Sequence, residues 1–220
     1  MSSKPVGRSM DRFLEVVAVV LLGIATVGTA WCGLQSALWS GEADRIANVA
    51  AEERADANRL FGLATQAVAY DATTVANYAQ AVVADDARLQ KFYRTLLVRK
   101  AFVSYLDSWE AEIKAGGIPK NLTEDEHYLA EVFGPYRATQ SQADLDAKAA
   151  EIAGRTGDLY VLATVLLAVS MFFAGVTASF RSPTLRMVLM AACLATILIS
   201  AERLADLPIA PSTWTLALTG

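Results

Sequence analysis

Two stretches of this chain contain no charged residue: Val16 to Gly41, 26 positions, and Leu159 to Phe180, 22 positions. About 20 consecutive apolar residues wound as a helix cross the roughly 30 Å of a bilayer's hydrocarbon. Inside hydrocarbon the backbone must satisfy its own polar groups, and a helix does so within one segment. A third stretch, Met187 to Ala201, is uncharged over 15 positions. It is short alone, but Leu185 and Leu204 extend it, and Arg186 can snorkel to a headgroup. Three spans are predicted: 14–38, 159–180 and 184–204. The chain has 220 residues, 54% apolar and 19% charged. An ordinary soluble domain is about 25% charged, so the apolar excess lies mostly in these runs.

The first run is not a cleavable leader on this reading. Lys4, Arg8 and Arg12 make a positive flank, but the apolar stretch far exceeds the roughly 7–15 residues of a leader's core. Trp31 precedes Cys32, where a lipoprotein signal needs a small residue. Orientation follows from basic residues beside the spans. The tail 1–13 holds Lys4, Arg8 and Arg12, and the loop 181–183 is bracketed by Arg181 and Arg186. These two segments are expected inside, with 41–158 and the tail 205–220 outside. The two cysteines, Cys32 and Cys193, both fall in spans. No disulfide is therefore expected in the outer segment.

Residues 42–115 read as nearly continuous helix. No proline lies between Pro5 and Pro119, and between Gly41 and Gly116 the only glycine is Gly62. A seven-residue ladder runs through Phe61, Val68, Val75, Val82, Leu89, Leu96 and Val103. Such spacing marks a packed helical seam. Three residues after each rung come Ala64, Asp71, Tyr78, Asp85, Phe92, Arg99 and Leu106. Asp71, Asp85 and Arg99 spoil this second row. A coiled coil and a helical bundle both remain open, with a bundle that is coiled-coil-like in part favoured. Gly116-Gly117-Ile118-Pro119 reads as a stop. Thr123 and Glu126 form a capping box for a short helix over 124–133. Gly134-Pro135 is expected to break it, and a further helix from Tyr136 to run into span two.

Seventy-odd residues of helix reach about 110 Å at 1.5 Å per residue. The returning helices cover about half of that. Either the outgoing segment folds back, with Asp71 or Asp85-Asp86 as caps, or the excess packs against other copies.

The search for chemistry returns little. His127, the only histidine, opens a helix among Glu124, Asp125 and Glu126, which reads as a solvated helix start. Nucleotide, hydrolase-elbow and metalloprotease motifs are missing. Neither an enzyme nor a cofactor or metal site is expected. Arg94, Arg99 and Lys100 cluster, but the segment 41–158 carries 13 Lys/Arg and 19 Asp/Glu, a net of −6. Nucleic acid is not an expected partner. Glu52-Glu53 and Asp85-Asp86 read as exposed faces.

At the span edges stand Arg12, Glu15, Arg181, Arg186 and Glu202. They read as interface anchors, with interhelical locks or an ion path as the sharper alternative. Small residues recur four apart: Ala25, Thr29, Gly33 and Ala37; Ser170, Ala174 and Ala178; Ala192, Thr196 and Ser200. Such stripes let helices approach closely. Trp39 fits the aromatic belt.

Asp11-Arg-Phe-Leu-Glu15 leads into a span ending Gln35-Ser-Ala-Leu-Trp-Ser-Gly41, and Gly157-Asp-Leu-Tyr-Val-Leu-Ala-Thr164 opens the second, with Phe172-Phe-Ala-Gly175 inside it. In these stretches the chain resembles a family of uncharacterised bacterial three-span membrane proteins. The resemblance covers the spans and their edges. It implies a bacterial plasma-membrane protein of this plan and supplies no activity.

The expected fold is all-α: three transmembrane helices with a long helical domain between the first and second. Two functional readings follow. One is a non-enzymatic structural, assembly or interaction component, embedded in the lipid bilayer and partnered by other copies of itself or another membrane protein. The other is a transport accessory or ligand-sensing component, whose outer bundle binds a ligand or gates a path.

Overall fold

A computed structural model describes residues 6–118, 121, 125–177, 179–180 and 182–210, with side chains from Arg12 onward. Every regular element among them is helical: α1 (Val6–Val83), α2 (Ala87–Phe92), α3 (Val103–Lys114), α4 (Glu126–Thr177) and α5 (Pro183–Ala205). A π turn, Tyr93–Leu97, and a 3-10 turn, Lys100–Phe102, join α2 to α3. Helices α1, α4 and α5 are each long and apolar enough to cross a membrane. The chain divides into two compact units, Asn48–Asp146 and the residues on either side of it.

The outgoing helix does fold back, and the device is local. Asp86 N–H donates to Ala81 O (3.1 Å) and Asp85 N–H to Val82 O (3.1 Å). Asp85 stands between them at φ 53°. This pair of bonds around a left-handed residue is the Schellman stop. Asp86 then caps α2, its carboxylate accepting from Leu89 N–H at 2.9 Å. The same device ends α3: Gly117 N–H donates to Glu112 O and Gly116 N–H to Ile113 O. There Gly116 takes the left-handed position at φ 79°, which costs glycine nothing.

Two expectations change. Residues 42–115 are not one run, since α1 stops at Val83 and the chain turns back through four shorter elements. Gly134-Pro135 does not break the return helix either: α4 is continuous, with Pro135 inside it. A proline in a helix interior costs about 3 kcal/mol and one backbone hydrogen bond. Packing on both sides of it offsets that cost. Phe133 and Tyr136 flank Pro135, and both rings lie against Phe61 of α1, with centroids 5.7 and 5.2 Å away. The capping box at Thr123 and the span-edge Arg181 lie outside the described residues.

In the unit containing the apolar helices, Ala25, Cys32, Tyr160, Ala163 and Leu167 form the buried cluster. Helix α1 turns Leu14, Ala25, Cys32 and Gln35 inward. The four-residue stripe drifts off this face: Gly33 meets nothing and Ala37 is exposed. Each four-residue step advances about 40° beyond a full turn, so only its start stays in contact. The close approach is at Gly28, where an added Cβ would sit 3.0 Å from a Leu167 methyl. Between α4 and α5, Ser170 and Thr196 hydroxyls bond at 2.6 Å. Beyond α5 the chain is tied back to α1 and α4. Pro208 O accepts from Trp39 Nε1 (3.0 Å) and Tyr160 Oη (3.3 Å), and Ala210 N–H donates to Gln35 Oε1 (2.9 Å). Trp39 is thus half-buried and hydrogen-bonded within the protein.

Candidate functional site

In the Asn48–Asp146 unit, Tyr78, Phe102, Leu106 and Tyr128 make the buried core. Each comes from a different stretch: α1, the 3-10 turn, α3 and the first turn of α4. Phe102 and Tyr105 both stand edge-on to Tyr128, at 5.4 and 5.3 Å. Such ring pairs add about 0.5–1.5 kcal/mol beyond area burial.

Three polar networks bound this core. In the first, Asp71 is fully buried. Arg99 grips it with two guanidinium nitrogens, Nε at 2.8 Å to Oδ1 and Nη2 to Oδ2, and Tyr128 Oη donates to Oδ2 at 2.7 Å. Arg99 can reach because the helix breaks: Val98 and Arg99 are extended, at ψ 124° and 141°. The break also offers Leu97 O to Tyr70 Oη at 2.8 Å. The Asp71 bond holds the Arg99 guanidinium above its ordinary range. Burial, then the Asp71 hydrogen bond, pushes the Tyr128 phenol far up.

The second network joins α1 to α3. Tyr78 Oη donates to Glu110 Oε1 at 2.6 Å, and Arg94 bonds both Glu110 and Asp107. Burial raises the Tyr78 phenol, and Glu110 adds to it. In the third, Tyr105 Oη donates to Glu131 Oε2 at 2.7 Å. That bond pushes Tyr105 up to about 12. His127 Nδ1 lies 3.1 Å from the same hydroxyl. The phenol has one proton and gives it to Glu131, so Nδ1 carries the hydrogen and donates.

Against this frame opens a cavity of about 670 Å³, lined by α1 residues around Val75, by Phe102, Tyr105 and Trp109, and by Glu112 and Asp125. A smaller hollow of about 280 Å³ lies near Arg99, Tyr128 and Pro135.

The ladder residues are spread over these elements. Val68, Val75 and Val82 lie half-buried against the core, and Val103 is half-buried at the start of α3. Phe61 is exposed on its outer side while packing on Phe133 and Tyr136. Leu89 on α2 and Leu96 in the π turn are exposed, Leu96 by 69%. The deepest positions belong instead to the second row, with Ala64, Asp71, Tyr78 and Leu106 all buried. Two of the three residues that spoil that row, Asp71 and Arg99, are each other's partners. Arg94 and Arg99, read as part of a basic cluster, are likewise spent on carboxylates.

Of the span-edge charges, Arg12, Glu15 and Glu202 are exposed and Arg186 is half-buried. Glu53, read as part of an exposed face, has Oε2 shut off from solvent. That local enclosure, then the neighbouring Asp146, raises its carboxyl. No cluster of three metal-ligating side chains occurs among the described residues. Comparison of the chain with protein-family models, with curated proteins and with solved structures finds no match.

Proposed function

We propose that this chain is a non-enzymatic, multi-pass membrane protein of the bacterial inner membrane whose Asn48–Asp146 unit is an outward-facing ligand-binding module. The cavity carries this reading. Its roughly 670 Å³ falls in the range of small-molecule sites, about 300–1,000 Å³. Its wall pairs aromatic surface with a few polar groups, as such sites do. The three networks beside it tie Arg99, Arg94 and Tyr105 to carboxylates, and a wall preformed in this way lowers the entropic cost of binding. The fold-back also covers much of the ladder within one chain, which removes the main motive for a partner along Val68, Val75 and Val82.

Two experiments test the reading. A reporter active only in the cytoplasm, fused after Gly117, should stay silent. Activity there reverses the orientation. A screen of chemically diverse small molecules against the detergent-purified protein, read by calorimetry, should give saturable hits. A screen without any hit removes the binding role.

One observation favours a second reading, assembly. Leu89, Phe92 and Leu96 share a face at spacings of three and four, and all three are exposed. A homo-oligomer joined at this tip loses mass in mild detergent on Leu96→Asp. A variant with unchanged mass leaves the tip as plain surface.

A further inference from the structure

We infer that the cavity beside Trp109 takes a small organic cation, an amine or quaternary ammonium, an inference that rests on the ligand-binding reading above. Among its described lining residues the formal charges have one sign, with the His127 imidazole the only other titratable nitrogen. Glu112 and Asp125 contribute carboxylates, and no lysine or arginine is among the described lining residues. The nearby arginines, Arg94 and Arg99, are turned to Asp107, Glu110 and Asp71. Asp125 accepts from Tyr128 N–H with one oxygen (2.9 Å), so Glu112 is the acid the cavity keeps uncommitted, while Arg94 and Arg99 are neutralised elsewhere.

The aromatic surface fits the same ligand. Trp109 is half-buried at the cavity wall. Its indole has no ring partner and no hydrogen bond among the described residues, unlike Phe102, Tyr105 and Tyr128, which pack on one another. An indole face is the strongest side-chain acceptor of a cation. Tyr105 adds aromatic surface to the wall, its hydroxyl being committed to Glu131. Glu112, three residues after Trp109 on α3, lies on the same face of the helix. It has no ion-pair partner among the described residues. Trp109 and Glu112 together offer a π face and a counter-charge within one turn. An anion would meet two carboxylates here. An uncharged ligand would use the rings and leave the acids idle.

The test uses choline and neohexyl alcohol, its uncharged carbon isostere, titrated into the full-length detergent-solubilised protein by calorimetry. Choline should bind saturably, with the isostere roughly tenfold weaker or worse, since a desolvated cation–π contact and a counter-charge are both lost. Glu112→Gln should weaken choline several-fold and leave the isostere unchanged. Glu112 is exposed, so this variant tests charge without threatening the fold. Trp109→Leu should weaken choline more than the isostere. Equal binding of choline and isostere overturns the cation inference while leaving a ligand site in place. No binding of either overturns it as well, and the compound screen above then decides the broader reading by itself.

Discussion

The two units of the molecule hold their helices together by different means. Around the apolar helices, contact is made by small residues: Ala25, Cys32 and Ala163 are buried, and Gly28 rests on Leu167. Most hydroxyls there turn back to their own helix. Thr29, Ser170, Thr177 and Ser200 each donate to the carbonyl four residues earlier. In Asn48–Asp146 the contacts are large rings, and the polar bonds run between elements, from Arg99 to Asp71, Tyr128 to Asp71 and Arg94 to Glu110. The contrast follows the surroundings each unit suits. Lipid gives apolar helices no reason to leave it, so close backbone approach must do the work. Water rewards the burial of large apolar side chains, and buried ion pairs fix which faces meet.

The contrast can be broken or sharpened by substitution. The largest expected effect is at Arg99. Arg99→Ala leaves Asp71 buried without its cation and should cost about 3 kcal/mol, the low end for breaking a buried pair, because the arginine side chain is itself 37% open to solvent. Loss of helix confined to Asn48–Asp146, followed by hydrogen exchange, checks it.

In the other unit, Gly28→Leu should cost about 1–3 kcal/mol by forcing α1 off Leu167. Gly33→Leu, which faces open space, should cost little. Equal melting temperatures in detergent would mean that small residues do not set this contact.

Gln35→Ala removes the acceptor for Ala210 N–H and should cost about 1 kcal/mol. Its mark is faster exchange at Ala210.

A gain is expected at Asp85. Its left-handed backbone strains any residue with a Cβ, so Asp85→Gly should stabilise the fold-back by about 0.5–1 kcal/mol in thermal melts.

The smallest effect concerns pH. Glu53 has its folded pKa raised by local enclosure and by Asp146. A raised carboxyl contributes stability that is fully present below the ordinary carboxylate range and is lost as pH rises through the raised value. Glu53→Gln should flatten that part of the melting-temperature profile, and Glu53→Lys should raise the melting temperature slightly at neutral pH.

Much of this architecture is legible in the sequence because its causes are local. Uncharged runs announce the apolar helices, and Gly116-Gly117 announces the end of α3. The turn at Ala84–Asp86 is harder to see. Its left-handed residue is Asp85 instead of glycine, so the usual signal is missing, although the Asp85-Asp86 pair marks the place. Pro135 misleads for the opposite reason: a strong local breaker is overridden when its neighbours Phe133 and Tyr136 pack on Phe61, which is distant in sequence. The second row of the ladder looks spoiled because Asp71 and Arg99, 28 residues apart, become favourable only once paired. Trp109 and Glu112 carry no signal a sequence could show, since a cavity is made by what surrounds it.

The claim that the helix folds back and closes on itself within one chain is tested most directly by exchanging the charges of its buried pair. Asp71→Arg and Arg99→Asp, made singly, should each unfold Asn48–Asp146, seen as lost helix and a lowered melting temperature. The double exchange in one chain should restore a substantial part of both. Co-expressing the two single variants should restore neither, because each chain then lacks its own partner. Recovery on co-expression, or a double exchange no better than the singles, would contradict the intrachain pairing on which this fold-back rests.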